Sequence, residues 1–131
     1  MRFLTLERVI AIHDDIISRT GGESGVLNQD ILEVCLERHS TEVFGFEPFV
    51  GLFEKAAALM HCITFFHGFV DGNKRTGLQV TGIFLALNGY YLTTATSDAV
   101  SFTIKIASGS VEVREIAEWL AANSTFFGES E

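Results

Sequence analysis

The sequence has 131 residues, 47% hydrophobic and 20% charged, with a single proline, and it predicts one globular domain rather than a disordered chain. The net charge of −8 argues against nucleic acid as a partner, because binding to phosphates rewards a basic surface. The longest apolar run, AAALMHCITFFHGFV, is too short and too interrupted by histidine for a membrane span.

Two helices are predicted in the first forty residues. The first runs from Leu6 to Arg19, with Thr5 as its N-cap and two glycines at its end. His13 lies on its apolar stripe, and we interpret it as a core histidine rather than a site residue. After a plain loop, ESGVLNQ, the second helix begins near Asn28. Residues 39–50 hold the proline and three phenylalanines and predict a loop or short hairpin.

Two more helices are predicted on either side of the stretch HGFVDGNKRTG, residues 67–77. The segment from Phe49 to Phe66 is apolar on nearly all sides after its first turns, which is typical of a buried central helix. The segment from Thr76 to Ser97 carries no charge, and its helix ends at Asn88 and Gly89. Residues 67–77 are therefore predicted to form a tight turn between two core helices.

The C-terminal part of the sequence carries conflicting secondary-structure signals. Residues 100–106, VSFTIKI, alternate like a strand, but the sequence offers no second strand to pair with them, so we predict a helix. A last helix follows, with Ser110 as its N-cap. Residues 124–131 are predicted to form a C-terminal tail, in which residues 125–129 are a frayed terminus, and this leaves an all-α domain over residues 1–123.

Cys35 and Cys62 stand apart in the sequence and lack the spacing of a metal or redox motif. We predict two free, buried thiols. The opening residues MRFLTLERVI form an amphipathic, charged pattern rather than a signal peptide, so we expect a cytoplasmic protein.

The stretch 67–77 gathers the side chains of a phosphate-transfer site. A helix N-terminus after Gly72 offers free N–H groups to an anion, and Lys74 and Arg75 add positive charge there. Asp71 is a hard oxygen ligand of the kind that holds Mg²⁺ beside phosphates, and His67 is able to take a proton from a hydroxyl. Each residue alone is typical of a solvated turn. Two cations between charge-free helices nevertheless favour a ligand-binding site.

The same stretch resembles the signature of the Fic/Doc (Fido) family, a histidine, phenylalanine, acidic residue and glycine or alanine, then Asn-Lys-Arg or Asn-Gly-Arg. The segments LTLERVIAIHDDIISRTGG and FLALNGYYL are similar to the Doc, or death-on-curing, branch, whose members are small helical proteins. The resemblance implies a compact helical bundle with the active-site loop between two central helices. The matching residues are His67, Phe69, Asp71, Gly72, Asn73, Lys74 and Arg75.

The resemblance also implies roles for these residues. His67 is the expected catalytic base and Asp71 the Mg²⁺ ligand, while Lys74 and Arg75 complete the catalytic set. The expected ATP-binding loop is formed by Gly72, Asn73, Lys74 and Arg75.

Two positions depart from the adenylylating pattern of the family. Lys74 replaces a glycine and Leu78 replaces an arginine, which favours transfer of the γ-phosphate of ATP to a Ser or Thr hydroxyl. Gly72 is the choice of adenylylating members, so an adenylyltransferase remains the alternative. A non-enzymatic partner-binding domain is the second alternative, against which the intact His67 and Asp71 argue.

The resemblance further implies a toxin–antitoxin module. Its expected partners are a protein substrate, a translation factor such as elongation factor Tu, and an antitoxin. Residues 39–50 lie where family members carry a flap that docks the target, although a plain connecting loop is an equal reading.

Overall fold

The computed structural model describes residues 1–40, 49 and 51–128. These residues contain six helices and one small antiparallel sheet, in which Tyr90 pairs with Phe126. The prediction of an all-α bundle is confirmed as the main architecture. In chain order the elements are α1 (Leu6–Thr20), α2 (Gln29–Ser40), α3 (Leu52–Phe65), α4 (Asn73–Leu87), β1 (Tyr90–Leu92), α5 (Thr96–Ala107), α6 (Val113–Ala122) and β2 (Ser124–Phe126).

Helix α3 is the centre of the bundle, and its middle turns are buried on almost every side. Helices α2, α4, α5 and α6 all pack against it, while α1 packs against α4. The approach of α4 is close, since a Cβ added at Gly77 would overlap the Thr64 hydroxyl. All six helices contribute to the core, through Val9, Ile16, Leu32, Leu59, Ile63, Phe84, Ile106 and Leu120 among others.

The N-terminal predictions are confirmed. Thr5 caps α1, its hydroxyl accepting from the Arg8 N–H at 3.1 Å, and the Asn28 side chain accepts from the Ile31 N–H at the start of α2. Helix α4 begins at Asn73, so the helix N-terminus predicted after Gly72 is confirmed, whereas the tight turn predicted over residues 67–77 ends at Gly72. The stretch 67–77 is therefore divided between a loop, residues 67–72, and the first turn of α4.

The prediction of two free thiols is wrong. Cys35 of α2 and Cys62 of α3 form a disulfide with a Cα–Cα distance of 5.4 Å. The sequence did not predict this disulfide because the two cysteines are 27 positions apart and meet only when α2 packs on α3. Closing a loop of that length stabilises a fold by about 3–4 kcal/mol in the chain-entropy account.

The C-terminal region holds two further differences. Residues 100–106 lie within α5, as predicted, but Ser110 is not the cap of α6. Its hydroxyl donates to the Lys105 carbonyl at the end of α5, and Glu112 takes the cap position. The prediction of a frayed terminus at residues 125–129 is wrong for Thr125 and Phe126, which pair with β1.

His39 was expected to open a loop, but it belongs to the last turn of α2 and is buried. Its ring lies against Phe3 and Phe84. Burial lowers the pKa of His39 to about 4, which keeps the ring neutral at pH 7. The predicted flap at residues 41–48 and 50 lies outside the described residues.

Across residues 1–40, 49 and 51–128, none of the helices combines the length and the apolar character that crossing a bilayer requires.

Candidate active site at the start of helix α4

The loop 67–72 is anchored in the core by Phe69. The Phe69 side chain is fully buried. The Asn73 side chain makes two hydrogen bonds to the backbone of Phe69. Its Oδ1 accepts from the Phe69 N–H and its Nδ2 donates to the Phe69 carbonyl, both at 3.0 Å. Asn73, predicted to bind an anion, thus uses its side chain to close the loop and offers a ligand its backbone N–H.

A second brace comes from residues 21–28, most of which were predicted to form a plain loop. The Gly68 carbonyl accepts from the N–H groups of Leu27 and Asn28, at 2.9 and 3.0 Å. Two residues further on, the Val70 N–H donates to the Gly25 carbonyl at 3.1 Å. The two loops therefore form a short backbone ladder, and the segment between α1 and α2 is part of the site.

Asp71 continues this contact through its carboxylate. Oδ2 accepts from the Glu23 N–H at 3.1 Å and Oδ1 from the Gly72 N–H at 2.8 Å. These two hydrogen bonds, helped by the positive charge of Arg75, lower the pKa of Asp71 below its usual range. The carboxylate is therefore ionised at neutral pH, and 47% of the side chain remains exposed.

The Asp71 carboxylate has the properties of a Mg²⁺ ligand. A carboxylate has about four lone-pair positions, and the two N–H donors leave the rest available on an exposed, ionised group. Among the described residues no cluster of three or more His, Cys, Asp or Glu side chains is arranged to hold a metal ion. A single protein carboxylate is nevertheless the usual contribution where substrate phosphates and waters supply the other ligands of Mg²⁺.

The N-terminus of α4 provides a place for an anion. Gly72 takes the left-handed conformation at φ 77° and caps the helix without any side-chain hydrogen bond. The first intrahelical bond of this end is donated by Thr76, so the N–H groups of residues 73–75 have no acceptor within the helix. Lys74 is exposed in this first turn. These N–H groups and the ammonium together favour a phosphate.

His67 is exposed at the other end of the loop, just after α3. Within the part of the chain that the structure describes, its imidazole makes no hydrogen bond or ion pair, so the ring is accessible to a substrate. Arg75 is placed differently. Its guanidinium donates to the Thr20 hydroxyl and to the Gly21 carbonyl at the end of α1, and it lies 3.8 Å from Oδ1 of Asp71. Arg75 thus joins α1 to the loop.

A groove of about 430 Å³ between α1 and α4 begins beside Arg75. Leu78, at the position where adenylylating members of the family carry arginine, lines this groove together with Ile16 and Ile83. The side chain of residue 78 therefore adds apolar surface next to the site rather than a second cation.

Two features of the site were not predicted from the sequence. His13 is buried with a hydrogen bond to the Asp71 carbonyl, and Gly22 lies so close to Asp71 that a Cβ there would stand 2.6 Å from Oδ2. A signal for His13 existed, because a histidine on a stripe of valine and isoleucine needs a polar partner when it is buried. Gly22 had no such signal beyond its role in ending α1.

Comparison with known proteins identifies the family of this chain. The model of the Fic/DOC family matches residues 3–85, which include α1 to α4 up to Leu85 and the whole stretch 67–77. The chain belongs to the Fic/Doc family, and its relatives place it in the Doc branch of that family.

Two relatives support the placement in the Doc branch. The chain is 32% identical over 120 residues to the protein kinase doc of Escherichia phage P1, a match that covers 92% of this chain and 94% of the phage protein. It is 38% identical over 72 residues to Toxin Doc of Mycolicibacterium smegmatis (strain ATCC 700084 / mc(2)155), which covers 55% of each chain.

Proposed function

We propose that this chain is a Doc-like toxin that transfers the γ-phosphate of ATP to a Ser or Thr hydroxyl of a target protein in the cytoplasm. The observation that carries the proposal is the start of α4. There the N–H groups of residues 73–75 have no acceptor within the helix and Lys74 is exposed, while the ionised Asp71 and the exposed His67 lie on the adjoining loop. The relationship to a protein kinase over 92% of the chain supports the same activity.

In this proposal each residue has a defined task. His67 accepts the proton of the target hydroxyl as its oxygen forms a bond to the γ-phosphorus, and the bond from that phosphorus to the bridging oxygen breaks to release ADP. The N-terminus of α4 and Lys74 hold the phosphates in line and stabilise their charge. Asp71 holds Mg²⁺, which neutralises phosphate charge when it is bound.

The alternative, an adenylyltransferase, drew support from Gly72, and the structure gives that glycine another explanation. Gly72 has a positive φ, and a Cβ there would meet Cδ1 of Ile17 at 3.1 Å and the Arg75 guanidinium at 3.4 Å. Glycine is therefore suited to the backbone conformation and to packing against α1. Gly72 is therefore no evidence for adenylylation, whereas Lys74, at a position where adenylylating members carry glycine, supports phosphate transfer.

ATP labelled at either the γ- or the α-phosphate tests the proposal. Each label is incubated with the chain, Mg²⁺ and either a cell lysate or purified elongation factor Tu. We expect the target to be labelled by γ-labelled ATP alone. We expect Lys74→Gly to lose most of that γ-label transfer. Label from the α-phosphate would establish adenylylation instead, and no label from either would favour a binding domain. An antitoxin partner belongs to the same proposal, because a relative is named a toxin.

A further inference from the structure

His13 is a buried histidine in direct contact with the candidate site. It lies on the inner face of α1 among Val9, Ile16 and Ile17, and only 1% of it is exposed. Its Nε2 is 2.7 Å from the carbonyl oxygen of Asp71. Since a carbonyl oxygen only accepts, Nε2 carries the hydrogen and donates it.

The orientation of the His13 ring is fixed by the same loop. The ring stacks on Phe69 with a centroid distance of 3.8 Å and an interplanar angle of 5°. On its other side Nδ1 lies 3.6 Å from the exposed Asp14 carboxylate. His13 therefore touches the loop at two positions, 69 and 71, by a stacking contact and a hydrogen bond.

The hydrogen bond acts on one peptide unit that controls two parts of the site. The carbonyl of Asp71 and the N–H of Gly72 belong to the same planar peptide and point in opposite directions. His13 holds the carbonyl, and the N–H on the far side donates to Oδ1 of Asp71 at 2.8 Å. Rotation of this peptide would break that second bond and would change φ of Gly72, the left-handed residue from which α4 begins.

We propose that His13 is a positioning residue for this site: its Nε2–H fixes the peptide between Asp71 and Gly72, and so orients the Asp71 carboxylate and the first turn of α4. The proposal deepens the proposed function and rests on the role of Asp71 as the Mg²⁺ ligand. His13 reaches neither the phosphates nor the metal in this account, and it acts through Asp71.

Two substitutions separate the hydrogen bond from the packing. His13→Phe keeps a ring that stacks on Phe69 but removes the donor, while His13→Gln keeps an N–H near the position of Nε2 but removes the ring. The first readout is the Mg²⁺ concentration that gives half-maximal binding of ATP, measured by calorimetry. Loss of a residue that orients a metal ligand typically weakens metal affinity 10- to 100-fold, so we expect an increase of about 10-fold in His13→Phe. We expect His13→Gln to remain near the wild type.

The second readout does not depend on any ligand. Hydrogen exchange of the Gly72 and Glu23 amides, followed by NMR, reports the two bonds to the Asp71 carboxylate. We expect the Gly72 amide to exchange about 10-fold faster in His13→Phe than in His13→Gln, because only the first frees the peptide. Thermal unfolding of both variants measures how much stability each loses through altered packing.

Asp71→Asn in the same binding assay distinguishes the two proposals. If Asp71→Asn raises the Mg²⁺ requirement and His13→Phe does not, the positioning role is wrong and the metal site stands. If neither raises it, the metal role of Asp71 fails, and exchange at Gly72 then decides whether His13 holds the peptide. Equal behaviour of His13→Phe and His13→Gln in both readouts would reduce His13 to a packing residue and overturn the inference.

Discussion

Helices α4 and α6 begin in opposite ways. Helix α6 is capped by its own acidic side chains: Glu112 and Glu115 form a capping box, in which Oε1 of Glu115 accepts from the Glu112 N–H at 3.1 Å. Helix α4 begins at a left-handed glycine, has no side-chain cap and carries no acidic residue in its first turn. Lys74 and Arg75 stand there instead.

The difference is the one expected between a helix end that is capped within its own sequence and a helix end that binds an anion, the role we propose for α4. Carboxylates at a helix N-terminus are favourable, and cations there are unfavourable, each by about 0.3–1 kcal/mol. The start of α6 is complete in itself, whereas the start of α4 leaves N–H groups and positive charge for an anion. The start of α4 is held by the Asn73 side chain, which binds the backbone of Phe69, and by the contact of the loop 67–72 with the segment 21–28.

The largest expected effect lies at the α4 end of this comparison. Because His67 is exposed and makes no polar contact within the described part of the chain, His67→Ala leaves the melting temperature unchanged. Loss of a general base costs about 10²–10⁴-fold in rate. Phosphate transfer to a purified target measures this, and Val70→Ala, an exposed change in the same loop, is the control. Full activity of His67→Ala would remove His67 from the reaction.

The comparison is sharpened most directly by one substitution made at both helix ends. Lys74 and Arg114 each occupy the second residue of their helix, and Arg114 is 91% exposed, with one exposed ion pair to Glu118 at 3.8 Å. Lys74→Glu and Arg114→Glu place the same favourable charge at the two N-termini. We expect both to change stability by less than about 1 kcal/mol.

Function is expected to respond at one end alone. A hydrogen bond to a charged group contributes about 1.5–3 kcal/mol, so Lys74→Glu should weaken ATP binding by about 10- to 100-fold. Arg114→Glu should bind ATP as the wild type does. Calorimetric titration of both variants with Mg²⁺–ATP is the measurement, and equal affinities would contradict the assignment of α4 as the ligand-binding end.

The smallest effect concerns the outside support of α4. Gly21 and Gly22 both have positive φ, at 89° and 117°, so an alanine at either position is strained by about 1–2 kcal/mol. The added Cβ meets nothing within 4 Å at Gly21, but at Gly22 it lies 2.6 Å from Oδ2 of Asp71. Since one hydrogen bond contributes about 0.5–1.5 kcal/mol, we expect Gly22→Ala to weaken Mg²⁺–ATP binding about 2- to 10-fold more than Gly21→Ala. Indistinguishable binding by the two variants would show that the hydrogen bond from the Glu23 N–H to the Asp71 carboxylate does not support the site.

The sequence alone determined the helices and the location of the candidate site. Helical periodicity and caps are local signals, so α1, α2, α3 and most of α4 were predicted within a few residues. Residues 67–77 carry the signature chemistry in one continuous stretch, and this is why the family is identifiable from the residues themselves. The strand-like residues 100–106 were also assigned correctly to a helix, because a single strand has nothing to pair with.

Contacts between distant residues were decided by the tertiary structure. The Cys35–Cys62 disulfide, the pairing of β1 with β2 and the support of Asp71 by His13 and Glu23 each join segments at least 27 residues apart. No local pattern encodes such pairs, since each half is compatible with many partners until the helices pack. The chemistry of this site was therefore readable along the chain, while the orientation of that chemistry depends on α1 and the segment 21–28 folding back onto the loop.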